Sequence, residues 1–292
     1  MEMFERQSGR VLFSLVLLVV FMFVAGTSAQ AVVTTGLQSY WAFDGNGDDR
    51  QGTVDLAAQE NGATIDYATG LVGRAVSVPR TTTTGSYMES VAAAGNYGVV
   101  HEITVSVWYK QTAATPNATV YQMGQPGYPE LAMYTDGGTG RGYGVIDRSN
   151  SGAVSVMIDT LVVDPEGDYH VPFEAADVWQ HRVFRVSNLT HVMDQWYARA
   201  TDVDHTAADV TGSIYDSLDI KADQLFKVGL NKSTNSDYMF DEVAIWNRAL
   251  SDAEIETVFD MGKAGTPLVP EPATMCLLAV GGLMTIVRRR KR

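Results

Sequence analysis

Strand-length segments that alternate apolar and polar residues recur along the middle of this chain, with no helices between them. EITVSVWYK (Glu102 to Lys110) sets Ile103, Val105, Val107 and Tyr109 on one face and Trp108 on the other, so both faces of that strand are expected to be partly covered. GRAVSVP (Gly73 to Pro79), AVSVMID (Ala153 to Asp159), WQHRVFRVS (Trp179 to Ser187) and YMFDEVAIW (Tyr238 to Trp246) keep the same period of two. NG, DGG, GRG and PEG mark turns between them. A parallel sheet needs crossover helices, which this order lacks, so the pattern predicts an all-β, antiparallel two-sheet sandwich. One helix is readable, in LSDAEIETVFDMG (Leu250 to Gly262). Ser251 is its N-cap, Glu254 completes a capping box, and Leu250 is placed to staple to Ile255. Ile255, Val258 and Phe259 form its apolar stripe and Gly262 suits its C-terminal cap, so it is expected to pack on the sandwich as a structural element.

The two ends carry addresses. VLFSLVLLVVFMFVAG (residues 11–26) follows Arg6 and Arg10 and precedes the small residues of TSAQA, the pattern of a secretory signal peptide cut near Ala29 or Ala31. A permanent N-terminal anchor is the other reading, and the small residues argue against it. At the far end, VPEPATMCLLAVGGLMTIVRRRKR (Val269 to Arg292) joins a Pro-Glu-Pro turn, an apolar run from Ala273 to Val287 and five basic residues. Fifteen helical residues reach roughly 22 Å, short of a bilayer core of about 30 Å. The basic cluster would stay cytoplasmic. In the order of its three parts, this end resembles the PEP-CTERM sorting tail of Gram-negative bacteria. The resemblance implies removal by an exosortase and delivery to the outer surface or extracellular polymer matrix. The expected organisation is a signal peptide over 1–31, one domain over 32–266, and a sorting tail with a short membrane helix over 267–292.

The formal charge is −13, and loss of the five terminal positive charges takes it to about −18. So acidic a domain repels nucleic acid and anionic membranes and attracts divalent cations; solubility explains the charge equally well. The single cysteine, Cys276, lies in the tail, so the exported domain is expected to hold together without disulfides.

FDGNGDDRQGTVD (Phe43 to Asp55) has the D-x-N-x-D spacing of a calcium loop. It is not an EF-hand: Asp49 stands where glycine is needed, Asp55 where a bidentate Glu is needed, and a strand precedes it. The series SYWAFDG, GRAVSV, ITVSVWYK, WQHRVFRVS and FDEVAIWNRALSDAEIETVF resembles the laminin-G-like, concanavalin-A-like lectin/glucanase superfamily, over about Gly36 to Gly262. That resemblance implies a jelly roll and a structural calcium where the first and last strands meet. By the same resemblance its ligands would be Asp44, Asp49 and Asp241, with Asn46 as a further donor. Asp49-Arg50-Gln51-Gly52 matches the family's D-x-S-G turn, with Gln51 in place of Ser. The competing reading is a solvated acidic turn, with Asp241 capping backbone amides. The stretch Tyr121 to His170 does not align strand by strand.

The E-x-D-x-x-E set of glucan-cleaving relatives is absent, and the adjacent Asp241 and Glu242 are expected to point to opposite faces. There is no G-x-S-x-G elbow, and the five histidines have no metal-ligand spacing. The expectation is therefore a non-catalytic protein that binds carbohydrate (exopolysaccharide) or another matrix component. A protein–protein adhesive module is the alternative, and a divergent glycosidase a more distant one. Candidate sugar-binding residues are Tyr128, Tyr134 and Tyr143, in the glycine-rich run Tyr121 to Gly144 read as loops, while the five tryptophans are assigned to strands and core.

Overall fold

The computed structural model describes residues 33–79, 85–91, 99–111, 118–125, 128–136, 141–146, 156–159, 162–163, 169–170, 177–187, 189–190, 192–203, 210–213, 220–221, 225–230 and 237–270. The chain divides into the units Met1–Thr35 and Gly36–Arg292, and the sandwich lies in the second. The expected signal peptide and the expected C-terminal membrane helix fall outside the described residues. Among those described, no helix is long and apolar enough to cross a membrane.

The strands, in chain order, are β1 (Leu37–Trp41), β2 (Leu56–Gln59), β3 (Asp66–Thr69), β4 (Arg74–Val78), β5 (Tyr87–Ser90), β6 (Val99–Val100), β7 (Glu102–Gln111), β8 (Ala118–Gln125), β9 (Tyr128–Asp136) and β10 (Arg141–Ile146). They continue with β11 (Val156–Asp159), β12 (Val162–Val163), β13 (Tyr169–His170), β14 (Gln180–Ser187), β15 (Val192–Arg199), β16 (Val210–Ser213), β17 (Ile220–Lys221), β18 (Phe226–Val228) and β19 (Tyr238–Trp246). The first sheet runs β16-β15-β14-β7-β19-β4-β3, with β1 also paired to β19; the second runs β11-β10-β9-β8-β18-β5-β2. All of these pairings are antiparallel. This is the two-sheet antiparallel sandwich that the period of two predicts.

The core lies between the sheets. Ile103, Val105, Val107 and Tyr109 of β7 meet Tyr121 and Met123 of β8, Leu131 and Met133 of β9, and Phe226 of β18 there. Trp41 of β1 stacks on Phe226 of the other sheet, with centroids 5.1 Å apart, and its indole N–H donates to the Val54 carbonyl at 2.8 Å. A buried aromatic thus spans both layers with its one polar atom satisfied.

The reverse face of the first sheet is covered by α1 (Asp252–Lys263), where Ser251 and Glu254 make both halves of the capping box. Phe259 of α1 stacks on Trp108 at 5.6 Å, and Trp108 stacks in turn on His181 at 4.7 Å. β7 is therefore buried on both faces, as Trp108 opposite its aliphatic side suggested. Trp41, Trp108, Trp196 and Trp246 are fully buried. The helix ends two residues later than its glycine suggested. The cap is Ala264, the left-handed residue is Gly265 (φ 67), and Gly262 is buried on Trp108, where a Cβ would lie 2.4 Å from the indole nitrogen. Gly262 serves close packing rather than chain reversal.

One segment departs from its sequence reading. The described residues of the glycine-rich run from Tyr121 are strand, not loop: β8, β9 and β10 form a meander in the second sheet. Glycines had obscured an alternation that Tyr, Val and Thr support.

Candidate functional site

Two regions gather polar chemistry. The first is where β19 changes partner. Along one edge it pairs β4 through Tyr238–Phe240 and then β1 through Val243–Trp246. Between these pairings lies a register shift, with Glu242 at φ 49, a left-handed conformation costly for a residue with a side chain. This bulge breaks the simple alternation that would send Asp241 and Glu242 to opposite faces; both are buried. Asp241 Oδ2 accepts the amides of Leu71 (2.8 Å) and Val72 (2.9 Å) from the turn between β3 and β4. Glu242 accepts the Tyr40 hydroxyl at 2.5 Å from β1 and the Leu268 amide at 3.1 Å. The acidic pair thus staples the handover.

Burial, with the neighbouring Glu242 charge added, pushes the Asp241 carboxyl up to about 9. Burial likewise raises Glu242 to about 7, against the lowering effect of the Tyr40 hydroxyl and the Leu268 amide.

Of the four expected calcium ligands, Asp44 and Asp241 converge on the same turn. Asp44 Oδ1 accepts the Arg74 amide at 2.7 Å, and Cβ atoms placed on Gly73 and Gly70 would lie 2.2 and 2.5 Å from Asp44 and Asp241 oxygens. Asp44 also pairs with Arg50 at 3.1 Å. Asp49 faces elsewhere. Its carboxylate accepts the amides of Tyr40, Gln51, Gly52 and Val54 and the Ser39 hydroxyl. Those five donors fill the roughly four lone-pair directions of a carboxylate. Asn46 turns to Asp48 at 2.6 Å. Among the described residues no three His, Cys, Asp or Glu side chains are grouped to hold a metal ion. Calcium takes six to eight oxygens, and this donor set, as arranged, holds chain segments together and does not fit the ion.

The second region is the outer face of the second sheet. Leu131, Met133, Phe226, Val228 and Met88 face the core, so the alternate positions face away from it. One register row there reads Glu89, Lys227, Gln122, Ala132, Val145, Met157 across β5, β18, β8, β9, β10 and β11. Lys227 is buried, bridges Glu89 at 2.8 Å, and lies 5.5 Å from the Tyr87 ring. One step along, Tyr134 of β9 is the register partner of Tyr143 of β10, with Thr119 and Asp159 as the next partners on either side. Antiparallel partners stand about 5 Å apart on one face. Tyr128 pairs with Gln125 at the start of β9, about 20 Å along the strand from Tyr134. The fold therefore joins two of the three candidate tyrosines. Asp159, Gln122 and Lys227 were not singled out from sequence, because only strand order brings them into these two neighbouring rows.

Comparison with known proteins adds two findings. Residues 268–292 match the PEP-CTERM protein-sorting motif. This marks an exosortase-sorted, cell-surface or secreted protein. No curated protein matches the chain. Among solved structures it is similar to botulinum neurotoxin binding domains. The D/C domain in complex with rat synaptotagmin II has TM-score 0.57 and 8% identity, covering 79% of this chain and 52% of that one. A type C structure, reported with cell entry dependent on two ganglioside molecules, has TM-score 0.57 and 9% identity, covering 80% and 52%. The D/C domain in complex with SialylT has TM-score 0.56 and 9% identity, covering 79% and 52%. The chain thus spans about half the length of the domains it matches. The likeness is one of fold: a concanavalin-A-like jelly roll with one short C-terminal helix.

Proposed function

We propose that this chain is a non-catalytic carbohydrate-binding protein of the cell envelope or extracellular matrix, sorted there by its tail, and that the Tyr134–Tyr143 row of its second sheet receives polysaccharide. The observation that carries the reading is the cross-strand pairing of Tyr134 with Tyr143, flanked by Thr119 and Asp159. Sugar sites combine aromatic faces for the apolar side of a pyranose with a few polar groups for its hydroxyls, and this row supplies both residue types. The sorting motif supports an extracellular ligand, and two similar folds, one reported with cell entry dependent on two ganglioside molecules and one in complex with SialylT, support a glycan. A non-catalytic reading is supported by Asp241 and Glu242, which are buried and committed to backbone amides and Tyr40.

A protein-binding adhesive role is the second reading, favoured by the synaptotagmin complex of a similar fold. A glycan array that includes acidic and neutral exopolysaccharides separates the two. Tyr134→Ala and Tyr143→Ala are each expected to weaken glycan binding by about tenfold, the loss of roughly one stacked ring. Binding to proteins alone, or glycan binding untouched by both substitutions, overturns the proposed site.

A further inference from the structure

The exit from the folded domain is built as a dock. After α1 the Gly265 amide donates to the Gly262 carbonyl and the Thr266 amide to the Met261 carbonyl, with Gly265 left-handed at φ 67. This helix ending reverses the chain and aims Pro267 and Leu268 back at the sandwich. Leu268 is only 3% exposed, and its amide donates to Glu242 Oε2 at 3.1 Å. Glu242 is itself held by the Tyr40 hydroxyl on Oε1 and by the β19 bulge, so the acceptor belongs to the sandwich and not to the exit segment. The core therefore reaches two residues past the boundary expected at 266. Leu268 is also the first residue of the sorting motif. Only Val269 separates it from Pro270-Glu271-Pro272, so that turn starts within about 7 Å of a buried side chain.

We propose that Leu268 is a docking plug that restrains removal of the tail: the processing enzyme reaches its substrate segment only after Leu268 leaves its seat beside Glu242. The inference rests on the reading of the tail as a processed sorting signal. Proteolytic enzymes act on extended, accessible chain, and a seated Leu268 withholds the residues just before the Pro-Glu-Pro turn. Undocking releases the Leu268 side chain and its bond to Glu242 while the strands of the sandwich stay paired, so it is a local opening and not global unfolding. When opening is fast relative to cleavage, the cleavage rate follows the open population. The domain thereby sets the pace of its own release, and a chain whose exit is unfolded is processed faster than one whose exit is seated.

The test uses the full chain in two readouts. In the first, purified protein in detergent is cut briefly with a nonspecific protease and the sites between residues 264 and 270 are mapped by mass spectrometry. In the second, precursor and processed forms are followed by pulse–chase in cells that carry the sorting enzyme. Leu268→Ser is expected to expose the junction and speed processing by about tenfold, while Leu268→Met keeps both near the parent. Four residues (Gly-Ser-Gly-Ser) inserted between Leu268 and Val269 leave the plug seated and are expected to speed processing with the melting temperature unchanged; this arm holds even if the serine variant folds poorly. A junction equally protected in Leu268→Ser overturns the dock. An exposed junction with unchanged processing, or an insertion without effect, overturns the restraint. A parent chain that keeps its tail overturns the sorting reading itself, and the restraint with it.

Discussion

Asp49 shows how one carboxylate sets a turn. Its Oδ1 gathers the amides of Tyr40, Gln51 and Gly52, and its Oδ2 the Ser39 hydroxyl and the Val54 amide, which ties β1 to the loop that follows it. Gly52 follows because a Cβ there would lie 2.5 Å from the Gln38 carbonyl. Asp49→Ala leaves those amides without acceptors and is expected to cost about 2–4 kcal/mol. In thermal melts that is a fall of roughly 5–10 °C; a fall under about 2 °C would show that water replaces the carboxylate. The same geometry bears on calcium. A filled structural site at about ten times its dissociation constant adds about 1.4 kcal/mol, or a few degrees. With the carboxylates committed to amides, millimolar calcium is expected to leave the melting temperature unmoved, and a reproducible rise would restore the ion to Asp44 and Asp241. The acidic spacing of Phe43 to Asp55 was legible as a cluster of oxygen donors. Their partners were not, because backbone amides leave no mark in the sequence, and a carboxylate that folds a turn is spelled like one that binds a metal.

At the scale of elements, α1 and β19 were read almost to the residue because each carries its own local code. The capping box is a contact three residues long, and the period of two in β19 needs no knowledge of its partners. What local code misses is the packing partner. Gly262 looked like a helix terminator, yet the helix passes it and lays it on Trp108. Gly262→Ala tests this. Helix propensity alone gains about 1 kcal/mol, while forcing a methyl against a fixed indole costs about 1–3 kcal/mol. The variant is expected to melt lower, with Trp108 fluorescence shifted to the red as α1 lifts; a higher melting temperature would mean the helix slides without loss. The meander β8–β9–β10 was misread for a related reason. Glycines within strands weaken local propensity, and the pairing with β18 and β11 that holds them is remote in sequence.

Across the whole molecule, charge couples to folding. Asp241 and Glu242 hold protons in the folded state, at about 9 and about 7, that the unfolded chain releases nearer its ordinary values of 3.8 and 4.5. Groups raised in this way favour the folded state at low pH, and their contribution fades as pH climbs from about 4 toward about 9. Self-repulsion of a chain at −13 works in the same direction. The melting temperature is therefore expected to be several degrees higher near pH 5 than near pH 9. Asp241→Asn is expected to flatten that slope while leaving the parts due to Glu242 and to net charge; an unchanged slope would mean that those two are its whole cause. The period of two, the capping box, the signal-like start and the order Val-Pro-Glu-Pro, apolar run, basic cluster were determined by the sequence alone, since each is a relation among near neighbours that needs no partner. Tertiary structure alone decided that Tyr134 pairs in register with Tyr143, that Asp49 serves amides, and that Leu268 is seated on Glu242. These depend on strand register and on one bulge in β19, where sliding a strand by a single residue reverses which side chains meet.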